Sequence, residues 1–207
     1  MNLSEPLEGL TSAVEAATLR VLARADAGFS GRQVYALAGI GSTSSVHRAL
    51  STMVRIGLVT AEPRPPSIIY RINREHALWP AVDSALGSRD RVFESIRRFC
   101  ADDLPRDLGL TVVIYGSVAR RDSTLDSDLD LFVVYPDGID DDARADFSYQ
   151  IARHVERVAG NEAQVFSVER TELAQRVEEN DPLVANVLAD GILVFGPPLR
   201  SANGRAA

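Results

Sequence analysis

Lysine is absent from all 207 residues, so each of the 22 basic side chains is arginine. Arginine's planar fork suits phosphate contacts better than it supplies bulk positive charge. Cysteine occurs once, at Cys100, which excludes an internal disulfide. No apolar run reaches membrane-spanning length and nothing near Met1 reads as a signal peptide, so a soluble, cytoplasmic protein without a membrane partner is expected. Positive charge is scarce overall: the formal net charge is −7. It is also uneven, for residues 1–80 carry eight Arg against six Asp and Glu, leaving −9 for the remainder. A nucleic acid, if bound, would therefore meet the front of the chain. The rest of the composition, 45% apolar and 25% charged, suits packed cores, and the length admits two small domains or one medium one.

The most informative stretch runs from Val112 to Val134, V-V-I-Y-G-S-V-A-R-R-D-S-T-L-D-S-D-L-D-L-F-V-V. Val112–Tyr115 predicts a buried strand, and Gly116-Ser117 a turn into a short helix. Leu129–Val134 predicts a second strand with Asp128 and Asp130 at its entrance. Residues i and i+2 of a strand share a face, so the two carboxylates converge, and such oxygens are what Mg²⁺ takes. Solvated turn aspartates are the plainer explanation of D-S-D-L-D by itself.

The whole arrangement resembles the signature of the nucleotidyltransferase superfamily related to DNA polymerase beta, G-S-x-x-x-G-x-x-x-x-S-D-x-D, with Gly116, Ser117, Ser127, Asp128 and Asp130 in the matching positions. The resemblance implies that the Gly-Ser turn and Ser127 hold nucleotide phosphates, and that Asp128 and Asp130 are catalytic and bind Mg²⁺ or Mn²⁺. Arg120 and Arg121 are candidates for an added phosphate clamp. Arg121 stands where the family often has a second glycine. The family also carries a third carboxylate on the next strand, where this chain has Gln164. An amide is neither a base nor a good Mg²⁺ ligand, and Glu162 is the candidate third acid.

The front of the chain predicts helices over Thr11–Ala25 with Thr11 as cap, over Gly31–Ala38 capped by Ser30, and from Ser42 or Thr43 to about Ile56. Strands are expected at Leu58–Thr60 and Ser67–Ile72. This stretch resembles bacterial winged helix-turn-helix regulators. The resemblance implies that double-stranded DNA is read by Thr43, Ser44, Ser45, His47 and Arg48, with Arg32, Arg55, Arg64 and Arg71 on phosphates. No Cys or second His stands at ligand spacing from His47, which argues against metal sensing.

Helices are further expected over Ala81–Leu86 and Arg89–Cys100, with Arg91, Arg97 and Arg98 of the latter solvated or, as the alternative, part of a phosphate-binding rim, followed by a loop containing Pro105. Tyr135–Asp142 reads as an acidic loop, and Ala143–Ala159 as a helix. Ala163–Val168 reads as a strand of undecided direction, Thr171–Glu179 as a helix capped by Thr171, and Ile192–Phe195 as a closing strand. The expected fold is α+β. A winged helix-turn-helix over 1–78 leads through a helical connector over 79–109 to a nucleotidyltransferase-like mixed sheet with flanking helices over 110–200, and a disordered tail over 201–207.

Two functions compete. One is Mg²⁺-dependent transfer of an NMP group from an NTP to a hydroxyl of a protein (a toxin partner included), an RNA or a small molecule. The other is DNA-binding transcription regulation with a nucleotidyltransferase-like domain that is inactive or only binds nucleotide. A structural adaptor is a weaker third. A homodimer is expected from the symmetry of DNA half-sites.

Overall fold

Ser12, Ser30 and Ser42 each accept a hydrogen bond from the amide three residues on, and the side chain at that third position bonds back to the serine amide. These reciprocal caps satisfy amides that a helix start leaves unpaired, and they open the first three helices of a computed structural model that describes residues 1–102 and 109–199. The expected loop at Pro105 and the tail over 201–207 lie outside those residues. The chain divides into two compact units, Asn2 with Ser4–Ser88, and Met1 and Leu3 with Arg89 onward. No helix among the described residues is long and apolar enough to cross a membrane.

The first unit contains α1 (Ala13–Ala23), β1 (Phe29–Ser30), α2 (Gly31–Ala38), α3 (Thr43–Arg55), β2 (Val59–Arg64), β3 (Ser67–Ile72) and α4 (Trp79–Leu86). Its antiparallel sheet has the order β1-β3-β2. Leu22, Val34, Val46, Leu50, Met53, Val59 and Tyr70 form its core. The cap of α1 is Ser12, not Thr11; the Thr11 hydroxyl instead donates to the Glu15 carboxylate. β2 runs on to Arg64 through Pro63, which an edge strand tolerates because its outward amide needs no partner.

The second unit begins with α5 (Ser88–Asp102), whose residues from Arg89 belong to it. Its mixed sheet is built from β4 (Thr111–Tyr115), β5 (Leu129–Tyr135), β6 (Ala163–Glu169) and β7 (Ile192–Phe195), in the order β6-β5-β4-β7. β6 runs parallel to β5 and the other pairs are antiparallel. The parallel pair needs a long crossover, supplied by α7 (Asp141–Ala159). The cap of α7 is Asp140, so Asp141 and Asp142 belong to its first turn, where the helix dipole favours acids, rather than to a loop.

Val112, Ile114, Leu129, Leu131 and Val133 face Val92, Ile96, Phe147 and Ile151 of α5 and α7. Val113, Phe132, Val134 and Val168 face Val184 and Val187 on α9 (Pro182–Asp190), with Leu173 on α8 (Arg170–Glu178) packed beside them. Helix α8 starts one residue before Thr171, with Glu169 in the cap position, and the Thr171 amide donates to Asp137 Oδ1 at 2.8 Å. Burial on both faces makes β4 and β5 near-continuous apolar runs. Polar side chains enter only at their ends, and those ends meet.

Candidate active site

Antiparallel pairing sets Tyr115 opposite Asp130, and parallel pairing sets Gln164 beside Asp130. The rings of Phe132 and Phe166 stack with centroids 5.7 Å apart, and Tyr115 meets Phe132 edge-on at 6.3 Å. Side chains alternate along a strand, so Tyr115, Asp130 and Gln164 lie on the α8/α9 side at one end of the sheet. Asp128, two residues before Asp130, joins them: Gln164 Nε2 donates to Asp128 Oδ2 at 2.6 Å.

Gly116 opens α6 (Gly116–Arg120) with φ +70°, and the Asp130 carboxylate occupies the space a Cβ on Gly116 would need. Glycine is required twice here, for the left-handed backbone and for the close approach. Burial, and then the neighbouring charge of Asp128, push the Asp130 carboxyl above the ordinary aspartate range, while Arg120 pulls it back. Burial and the Asp130 charge also raise the Tyr115 hydroxyl. An approaching cation would relieve the repulsion between the two carboxylates.

The remaining expected residues take distinct places. Ser117 follows Gly116 in the first turn of α6, half-buried. Arg120 is exposed, pairs with Asp122 at 3.2 Å, and bears electrostatically on Asp130. Arg121 ends α6 with φ +65°, the left-handed conformation for which a glycine would be the unstrained choice; its charge acts on Arg89. The Ser127 hydroxyl is engaged in its own turn, accepting from the Thr124 amide at 2.8 Å. Glu162 precedes β6, and its carbonyl accepts from the Leu129 amide at 2.8 Å. The Gln164 amide reaches Asp128, and no group of three His, Cys, Asp or Glu side chains gathers as a metal site among the described residues.

Two supporting residues were missed in the sequence. Arg89 is 7% exposed, donates through Nη2 to the Val118 carbonyl at 3.0 Å, and lies over the Phe93 ring at 4.6 Å. It thus holds the carbonyl end of α6, where a cation complements the helix dipole. Asn161 is 5% exposed and donates to the Ser127 carbonyl at 2.8 Å, pinning the approach to Asp128. An arginine three residues before the apolar face of α5 and an asparagine after the C-terminal glycine of α7 were the faint signals of each.

In the first unit, Thr43, Ser44, His47 and Arg48 are exposed on α3. Ser45 is committed to the cap, its hydroxyl donating to the Ser42 carbonyl at 2.9 Å. Arg64 and Arg71 both pair with Glu62, at 2.9 and 2.6 Å, while Arg32 and Arg55 are exposed.

Residues 109–197 match the family model described as "Polymerase beta, Nucleotidyltransferase". The nucleotidyltransferase match thus spans Gly116, Asp128, Asp130 and Gln164 and leaves the first unit outside it. A solved structure titled "Crystal structure of the toxin-antitoxin with AMP-PNP" is 16% identical, with a TM-score of 0.35, covering 51% of this chain and 73% of its own. No curated protein matches the chain.

The donor set fits a divalent cation: two carboxylates on one side of the sheet, of hard oxygen chemistry, balance a charge of +2. With only hydrogen at Gly116, the Asp130 carboxylate sits in space that a Cβ would fill, close against the Gly116-Ser117 turn.

Proposed function

We propose that the second unit is a divalent-cation-dependent nucleotidyltransferase centre moving an NMP group from an NTP to a hydroxyl acceptor, and that the first unit is a winged helix-turn-helix that binds double-stranded DNA. The convergence of Asp128 and Asp130 beside Gly116, inside the segment that matches the nucleotidyltransferase family model, carries the first part. Asp128 and Asp130 hold Mg²⁺ or Mn²⁺. When bound, the cation neutralises charge on the phosphate oxygens as the transfer proceeds. Gly116 and Ser117 receive the outer phosphates of the NTP. Arg120 adds positive charge on the Asp130 side, and Arg89 fixes the opposite end of α6.

The DNA-binding part is supported by the order α1, β1, α2, α3, β2, β3 and by the exposed polar residues Thr43, Ser44, His47 and Arg48 on α3. A recognition helix places its N-terminal residues against base edges. Two copies would read a palindromic site.

Gln164 favours a second reading, in which the nucleotide is bound but not transferred and DNA binding is the output. Its amide stands beside Asp128 and cannot take a proton from an acceptor. Calorimetric titration of Mg²⁺ with each NTP, on native protein and on the Asp128→Asn/Asp130→Asn variant, tests the site. Binding by the native protein and its loss in the variant are expected; equal binding by both would remove the assignment. Gel shift on selected duplexes tests the front unit. An Arg48→Ala change should weaken binding, and native protein that selects no duplex would end the DNA-binding proposal.

A further inference from the structure

We propose that Gln164 restricts the Asp128/Asp130 site to a single divalent cation, and that a carboxylate at this position would admit a second. The inference rests on the nucleotide-binding reading above and deepens it.

To hold two cations a few ångströms apart, a carboxylate must offer one oxygen to each. Asp128 Oδ2 already accepts the Gln164 amide at 2.6 Å, so an N–H dipole points its positive end where a second ion would approach. The ligand count leads to the same result. The triphosphate brings oxygens for the cation it arrives with, so a second cation depends on the protein's own donors, and among the described residues no third acid gathers with Asp128 and Asp130. The position of the side chain is not what restricts the site. Residue 164 is paired in register with Asp130 and already touches Asp128, so only the chemistry of its terminus is wrong for a cation ligand.

Gln164→Glu is nearly isosteric, and it would set a carboxylate oxygen against Asp128 Oδ2 where the amide nitrogen now lies. Two carboxylate oxygens at hydrogen-bond distance tolerate one another only with a shared proton or a cation between them. The substitution therefore converts an occupied position into a demand for an ion.

The experiment is a Mn²⁺ titration of the full chain followed by electron paramagnetic resonance, with saturating α,β-methylene analogues of each of the four NTPs. The native protein should retain one Mn²⁺ per bound nucleotide and Gln164→Glu two. Gln164→Ala, which removes the donor without adding charge, should retain one. Thermal unfolding gives an independent readout: in chelator Gln164→Glu should melt below native, and Mn²⁺ should raise it by more than it raises native. Two ions on the native protein, or one on Gln164→Glu with no extra Mn²⁺-dependent rise in melting, would overturn the inference while leaving the nucleotide site intact. No nucleotide-dependent Mn²⁺ on the native protein would instead overturn the proposed function itself.

Discussion

Replacing Gly116 with alanine separates the backbone demand of the site from its steric demand. The residue has φ +70°, and placing a non-glycine residue in that region costs about 1–2 kcal/mol. A second cost arises because the new methyl would occupy the space of the Asp130 carboxylate, whose Cγ lies 3.1 Å from the Cβ position. The carboxylate must turn out of its well, at about 0.5–1.5 kcal/mol. Together these predict a loss of roughly 1.5–3.5 kcal/mol. Gly138 provides the control, with φ +78° and no atom within 4 Å of its Cβ position, so Gly138→Ala should cost only the backbone part. Urea unfolding should be followed by circular dichroism, since the single tryptophan, Trp79, reports on the first unit. Gly116→Ala should also weaken Mn²⁺ binding by about tenfold or more, near 1.4 kcal/mol, and Gly138→Ala should leave it unchanged. If both variants lose the same stability and both bind Mn²⁺ as native does, Asp130 is not held by the Gly116 cradle and the reasoning fails.

Arg89→Met should destabilise the second unit by about 2–3 kcal/mol in urea, because the buried Val118 carbonyl loses a charged donor. Asp130 has a folded-state pKa raised above its ordinary value of 3.8 by burial and by Asp128, so its stabilising contribution is present below that value and is lost as pH rises through the folded pKa. In chelator, Asp130→Asn should therefore melt above native at neutral pH, with the gap closing as pH falls toward 3.8; a constant gap would contradict the shift. Ser12→Ala should cost the first unit about 1 kcal/mol through loss of its cap, measurable by Trp79 fluorescence in urea. Glu15, held below the ordinary carboxylate range by the Thr11 and Ser12 hydroxyls, stabilises at neutral pH, and this contribution should fade as acid protonates it.

Much of the architecture is legible because it is decided locally. Ser30 before Gly31–Ala38 and Ser42 before Thr43–Arg55 are capping signals readable within four residues, and Ile192–Phe195 is an apolar run between glycines. The Asp128/Asp130 pair follows from the two-residue strand period. What was not legible depends on partners distant in sequence. β1 is two residues long and exists only through its pairing with Tyr70 and Ile69. The direction of β6 depends on pairing with β5 across α7. Arg89 looks like another surface charge on α5 until the α6 carbonyls are brought to it from 29 residues away. Gln164 reads as the loss of an acid, and only the fold shows that its amide engages Asp128 across 36 positions.

The most direct test of the central claim is transfer of label from α-labelled NTPs. Native protein would be incubated with Mg²⁺ or Mn²⁺, with and without cell extract, beside the Asp128→Asn/Asp130→Asn variant. The account predicts covalent label on an acceptor with the native chain and none with the variant. Label that persists in the variant, or native protein that binds NTP yet labels nothing under any of these conditions, would contradict it.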